Sequence, residues 1–318
     1  MRSFLLHRNL GGVSGREEFE MMQKMTIDDL NRLLTIIVPV KNEVQNLPSC
    51  LESVRSFVHL VIVDSGSTDG TLDVAARFGR EVVQFVWNGQ FPKKRNWILR
   101  NYPFKTPWVM FLDADERMSQ PFLEELSAFL VSKDADTCDV VVCTYDNWFA
   151  GRMLRHGDPM RKTAIVRVGA AEYERIDEDH WSNLDMEVHE HIQAVRTDSE
   201  YKIGARLEHH DTRSLEKHWQ KHVEYANWEA NRYRQLVVNP ERWAALTSRQ
   251  RVKYRHIARW WMAPLYFAVC YFAKFGFLDG LAGLRFAWFK FRYFRLVRQM
   301  ILKTRTRETQ NERIENDA

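Results

Sequence analysis

The sequence predicts an α/β protein: a doubly wound, mostly parallel sheet followed by a helical region. Three observations carry this. Between residues 34 and about 130, short apolar runs alternate repeatedly with amphipathic helical stretches, the pattern of parallel strands joined by crossovers. One of these runs, Val109-Met110-Phe111-Leu112, leads straight into Asp113-Ala114-Asp115-Glu116. Carboxylates therefore stand at the carboxyl end of a doubly buried strand, the edge where open α/β sheets bind ligands. From Ser214 onward the apolar positions recur at threes and fours, which is helical periodicity.

At 318 residues the chain is long enough for one large domain or a domain with a sizeable appendage. Hydrophobic and charged contents of 45% and 28% are those of a soluble globular protein. Cys50, Cys138, Cys143 and Cys270 have no CxxC or zinc-like spacing, and they read as reduced thiols in a cytosolic setting. No stretch reads as a signal peptide, and none reaches the roughly 18–20 uninterrupted apolar residues of a membrane span.

Residues 1–33 read as an extension, flexible around Gly11-Gly12-Val13-Ser14-Gly15 and ending in a short helix. Leu34 to Val38 is the first buried strand, closed by Pro39, which cannot donate to a ladder. Lys41-Asn42-Glu43 leads to a helix with Leu47, Leu51, Val54 and Phe57 on its apolar side. A second strand, Leu60 to Val63, delivers Asp64 into the turn Ser65-Gly66-Ser67-Thr68-Asp69-Gly70-Thr71, rich in capping residues. Glu81 to Trp87 reads as the third strand, and Lys93-Lys94-Arg95-Asn96 opens the next helix, with Lys93 and Lys94 as readily solvated as functional. Along a strand side chains alternate, so Asp113 and Asp115 share a side and suit one hard cation; the bland alternative is that they cap the next helix. Val140-Val141-Val142 continues the sheet, and the acidic stretch 175–186, centred on Trp181, reads as a lid or a plain surface loop. Glu187-Val188-His189-Glu190-His191 follows. No GxGxxG is present, which excludes a dinucleotide site of that type. With no third ligand in view, His209-His210 do not read as a zinc site.

The C-terminal segment carries a different signal. From Arg249 to Arg307 there are fourteen Lys or Arg and a single acid, Asp279, interleaved with aromatic residues. The apolar run from Trp260 to Ala273, fourteen residues at about 1.5 Å each, reaches about 21 Å and falls short of a ~30 Å hydrocarbon core. Aromatic rings beside cations suit an anionic membrane interface. An oligomer interface and nucleic acid are the rivals, and no known nucleic-acid module is visible.

The motifs strand-Pro39-x-Lys41-Asn42-Glu43, strand-Asp64-Ser65-Gly66-Ser67-Thr68-Asp69-Gly70-Thr71, Lys94-Arg95-Asn96 and strand-Asp113-Ala114-Asp115-Glu116 resemble the family 2 glycosyltransferases of the GT-A fold. Asn147-Trp148-Phe149-x-Gly151-Arg152, Arg155-His156-Gly157 and Val188-His189-Glu190 further resemble the lipopolysaccharide-core β-1,4-glucosyltransferase branch. That branch carries Trp-Tyr-Pro-Asp where this chain has Asp158-Pro159-Met160-Arg161.

The resemblance implies a Rossmann-like, mostly parallel GT-A domain over 34–213, after the 1–33 extension and before a membrane-associating helical region over 214–318. It implies inverting, metal-dependent transfer from a nucleotide sugar of the UDP type to a lipid-linked, lipopolysaccharide or exopolysaccharide acceptor at the cytoplasmic face of the inner membrane. It places Pro39, Glu43 and Asp64 around the base and ribose, and Arg95 on the diphosphate, whose oxygens match its fork. Asn96 bonds locally or at the donor. Asp115 takes the direct bond to Mg2+ or Mn2+, and Asp113 a ribose or water-mediated contact. Glu190 is the expected base toward the acceptor hydroxyl, with His189, Asp185 and Glu187 in reserve. A sugar-phosphate nucleotidyltransferase would need a glycine-rich phosphate loop where Pro39-Val40-Lys41-Asn42 stands. A catalytically silent membrane scaffold is the rival outside enzymes.

Overall fold

The computed structural model describes residues 27–158, 160–178, 181–187, 190–196, 200–210 and 214–316, with side chains as far as residue 303. Helix α1, over 27–33, sets the buried Leu30 into the main core, so the end of the N-terminal extension is part of the folded unit. Strand β1 (Leu34–Val40) is buried along its whole length, as its unbroken apolar run requires. It lies between β2 (Leu60–Asp64) and β4 (Trp108–Phe111), parallel to both, with Ile36 opposite Leu60 on one side and Met110 on the other. Strand β3 (Glu81–Gln84) extends the parallel set beyond β2. Helices α2 (Leu47–Ser53), α3 (Thr71–Arg77) and α4 (Lys94–Asn101) are the crossovers, and α5 (Gln120–Leu130) and α6 (Lys133–Thr137) follow β4.

Beyond β4 the sheet departs from the mostly parallel expectation. Strand β6 (Val140–Phe149) turns back through Ala150 and Gly151, both at positive φ (50° and 77°), onto the short β7 (Arg152–Leu154). Positive φ at both central residues is what a two-residue hairpin requires. The chain then re-enters as β8 (Met160–Arg167), antiparallel to both β4 and β6. So short a return cannot make the long crossover that parallel neighbours need. Strand β11 (Glu200–His210) runs parallel to β6 and pairs, antiparallel, with the two-residue β5 (Glu116–Arg117). The sheet order is β3-β2-β1-β4-β8-β6-β11-β5, a mixed sheet that curls. A separate ribbon pairs β9 (Ala171–Tyr173) with β10 (Ile192–Ala194).

The helical region starts at α7 (Leu215–Val238), capped by the Ser214 side chain, which accepts from the Lys217 amide. Along α7, Ala226, Ala230 and Leu236 are buried, while Leu215 and Val237 stay exposed. Helix α8 (Pro240–Ala244) leads to α9 (Ser248–His256), which opens with a capping box between Thr247 and Gln250. Helix α10 (Met262–Ala268) continues as a π turn, Val269–Ala273, and a 3-10 turn, Gly276–Asp279, links it to α11 (Gly280–Asn316). Ala226, Tyr254, Ile257, Phe294 and Val297 form a second core between α7, α9 and α11.

Candidate active site

The carboxyl ends of β1, β2 and β4 meet at one edge. Asn42 adopts φ 57°, and its Oδ1 accepts the Thr68 amide at 2.8 Å, binding the loop after β1 to the loop after β2. The Glu43 amide donates to Thr71 Oγ1 at 2.9 Å, and its carboxylate accepts from Asn46 at 2.8 Å. Asp64 is fully buried and bonds within its own loop, accepting from the amides of Gly66 (3.0 Å) and Ser67 (3.2 Å) and from the Ser67 hydroxyl. Asn96 is equally buried: its amide group donates to the Tyr173 carbonyl and accepts the Tyr173 N–H, both at 2.9 Å. Of its two expected roles, the structure shows the local one.

The acidic segment is a turn. Strand β4 stops at Phe111, and the Glu116 amide closes the turn on the Asp113 carbonyl at 2.9 Å. Asp113 and Asp115 therefore converge through the turn, a correction to strand alternation as the cause. The turn also brings in Glu116, and carboxylate oxygens of all three lie within 4.8 Å of one another. Such a set needs cations. Lys162, from β8, bonds Asp113 Oδ2 at 2.9 Å and Glu116 Oε1 at 2.7 Å. Arg95 bonds Asp113 Oδ1 at 2.5 Å and the Glu187 carbonyl at 2.7 Å. Burial works to raise Asp113, but the Lys162 and Arg95 charges outweigh it and hold the carboxyl well below its usual range. Burial and the neighbouring aspartates push Glu116 the other way, up to about 7 against the pull of Lys162. His209 Nε2 stands 3.6 Å from Asp115 Oδ2, and its Nδ1 lies 3.1 Å from Asn147 Oδ1. Hard carboxylate oxygens with one imidazole are a donor set that suits a divalent cation such as Mg2+ or Mn2+.

Glu190 lines the same cleft and is buried, with Oε1 accepting from Lys93 Nζ at 2.8 Å. Lys93 also pairs with Glu178, whose Oε1 accepts from Trp228 Nε1 at 2.6 Å. Lys94 bonds the Val40 carbonyl at 3.0 Å and lies 3.4 Å from Asp185 Oδ2. Both lysines are thus buried, which decides against the solvated one of their two open readings: the start of α4 pairs with Glu178 and Asp185 of the segment 174–187. That segment, where described, is packed and not a free loop, with Ile176, Glu178 and Ser182 buried and Trp181 against Trp228. Glu187 accepts the α4 amides of Arg95 (2.9 Å) and Asn96 (3.0 Å), which occupies it as a helix cap. His189 lies outside the described residues.

Pro39, Glu43, Arg95, Asp113, Asp115 and Glu190 line one cleft of about 1460 Å³; Asp64 and Asn96 do not. The helical region also lines the cleft, through Lys221, Tyr225, Arg249, Tyr266 and Lys290. Glu116, Lys162 and Lys93 were not assigned a role from sequence. Glu116 sat inside the quoted motif. Lys162 gave no local signal, because only the β4–β8 pairing brings it to the turn.

The family model described as Glycosyl transferase family 2 matches residues 35–204. An uncharacterized glycosyltransferase of Rickettsia bellii is 28% identical over 108 residues, 34% of this chain and 36% of that protein. One from Mycobacterium bovis is 35% identical over 103 residues, 32% of this chain and 45% of its own length. The matched stretch thus spans less than half the length of these relatives. Among solved structures, Staphylococcus aureus TarS 1–349 is 16% identical, covering 86% of this chain and 91% of that one at a TM-score of 0.38. Glucosyl-3-phosphoglycerate synthase from Mycobacterium tuberculosis, in complex with Mg2+ and uridine-diphosphate, is 16% identical at a TM-score of 0.40, covering 65% and 82% of the two chains.

Proposed function

The chain belongs to glycosyl transferase family 2, and from that premise we propose that it moves a sugar from a UDP-type nucleotide sugar to a membrane-held acceptor, lipid-linked or of the lipopolysaccharide or exopolysaccharide type. The observation that carries the reading is that the acidic turn Asp113–Glu116 and Glu190 line one cleft, with Arg95 and Lys162 bonded to the turn. The likeness of its acceptor-side motifs to the lipopolysaccharide-core branch supports the acceptor class.

Asp115, beside His209, is the residue to hold Mg2+ or Mn2+ directly. Asp113, already bonded to Arg95 and Lys162, acts through water or on the ribose. When bound, the cation neutralises charge that develops on the leaving diphosphate. Arg95 and Lys162 stand where they add to that neutralisation. Pro39 and Glu43 bound the nucleoside end, while Asp64 and Asn96 act indirectly, by shaping the loop and helix that carry Glu43 and Arg95. Glu190 takes the proton of the attacking acceptor hydroxyl, and Lys93 holds that carboxylate in place. His189 remains the candidate beside it. Inversion follows from a single displacement, which needs no enzyme nucleophile. Residues 34–213 carry the donor site, and the helical region from 214 walls the acceptor side and docks on the cytoplasmic face of the inner membrane.

The test is thermal shift against a panel of nucleotide sugars, with and without Mn2+, followed by transfer assays. UDP and a UDP-sugar should raise the melting temperature only with Mn2+, and Asp115→Ala should abolish the effect. Equal Mn2+-dependent UDP affinity in the variant and the native protein would sink the metal assignment.

A further inference from the structure

We infer that the bent pair α10–α11 is a wedge that enters one leaflet of an anionic bilayer tip first, at Phe272–Leu284, instead of lying flat on it; this rests on the membrane part of the reading above. No single described helix is long and apolar enough to cross a membrane, but Met262–Ala273 and Gly276–Lys303 pass that test together, bent by 73°. At the bend Phe272, Phe275, Phe277, Leu278 and Leu281 are each 44–60% exposed. They form one patch: Tyr271 joins the rings of Phe272 (5.1 Å) and Phe277 (6.3 Å), Phe275 meets Phe277 at 6.2 Å, and Phe267 links Phe272 to Trp288, 6.5 Å from each. An apolar patch of this kind marks an interaction surface.

Both charges at the tip are paired with the loop that follows β7. Lys274 Nζ bonds Asp158 Oδ1 at 2.7 Å. The Asp279 carboxylate accepts the amides of Arg155 (3.2 Å) and His156 (2.9 Å). Above the tip, the exposed face of α11 reads Leu281, Leu284, Trp288, Arg292, Arg295, at spacings that keep one side of a helix. The order is aliphatic, then aromatic, then cationic. Leu281 and Trp288 are about 10 Å apart along the axis at about 1.5 Å per residue, within the ~15 Å of a single hydrocarbon leaflet. Tryptophan favours the interface and arginine the anionic headgroups. Arg285, exposed beside the stripe, reaches the same level by snorkelling.

The wedge is also rigid. A Cβ on Gly283 would lie 1.9 Å from the Gly276 carbonyl oxygen, and one on Gly276 would lie 2.5 Å from that of Cys270, so the backbones touch at the bend. The Gly157 amide donates to the Lys274 carbonyl at 2.9 Å, fastening the bend to the catalytic sheet. The inner face supplies Tyr266, Phe286, Phe289 and Lys290 to the cleft. Insertion of the tip therefore sets the height of the cleft above the bilayer.

The test uses the full chain and vesicles of phosphatidylcholine with phosphatidylglycerol. Spin labels are placed singly through Leu281→Cys, Trp288→Cys and Arg295→Cys; the four native thiols are buried, which keeps labelling selective. The label at 281 should be the deepest, that at 288 near the interface, and that at 295 among headgroups. The pair Phe277→Glu and Leu281→Glu should weaken flotation about ten-fold or more while Mn2+-dependent UDP binding and melting temperature stay unchanged. Equal depth at the three positions, absence of vesicle binding, or a lipid-free dimer that Phe277→Glu and Leu281→Glu dissolve would each overturn the wedge. UDP binding is read on the same samples: its absence counts against the donor reading and leaves the test of the wedge unchanged.

Discussion

Lys162 shows how much charge the site carries before any ligand arrives. Its ammonium bonds two of the three clustered carboxylates, Asp113 and Glu116. A cation and Lys162 compete for the same negative potential. Lys162→Met should therefore tighten Mn2+ binding without nucleotide by about ten-fold or more, read from free Mn2+ by electron paramagnetic resonance. Unchanged or weaker affinity would show that the lysine does not oppose the metal. At Glu190 the expected change is of another kind. Glu190→Gln keeps shape and burial but cannot take a proton, so transfer should slow by about 10²–10⁴-fold with donor affinity nearly intact. If Glu190→Gln stays active while Asp185→Asn does not, the base is Asp185.

Among the elements, α4 is the one on which the site turns. Its first residues supply Lys93, Lys94 and Arg95, three cations where a helix dipole favours anions. Glu187 answers both needs, accepting the Arg95 and Asn96 amides from a carboxylate that is 2% exposed. Glu187→Ala leaves those buried amides without their acceptor and should cost about 1–3 kcal/mol in urea unfolding. Because Arg95 rides on this helix, UDP affinity should fall with it. A variant as stable as the native protein would mean that water replaces the carboxylate without loss.

The whole molecule binds its two halves more closely than a domain with an appendage. Trp228 from α7 donates to Glu178, Gln250 from α9 donates to Glu174, and Asp158 accepts from Tyr266 and Lys274. Removing the chain after residue 248 would strip Tyr254, Ile257, Phe294 and Val297 from the side of α7 they bury. The truncated protein should lose vesicle binding and also melt less cooperatively, by calorimetry. A sharp transition at the native temperature would show that 34–248 folds without its helical cover. For the full chain, salt at 1 M shrinks the Debye length to about 3 Å and should detach only part of the bound protein, because apolar insertion does not weaken in salt.

What the sequence by itself determined is local in origin. Unbroken apolar runs become β1, β2 and β4, because a strand covered on both faces tolerates nothing else. The Asp-x-Asp segment stands at a strand end, where the turn leaves its carboxylates at the cleft. The basic, aromatic C-terminal segment was visible as composition alone. The tertiary structure decided what depends on partners distant in the chain. Lys162 reaches Asp113 across 49 residues, Lys93 reaches Glu190 across 97, and His209 reaches Asp115 only because β11 pairs with β5. Whether a lysine is solvated or buried is set by the carboxylates that arrive around it. No window along the chain contains them, which is why the sequence leaves Lys93 and Lys94 open between a solvated and a functional reading.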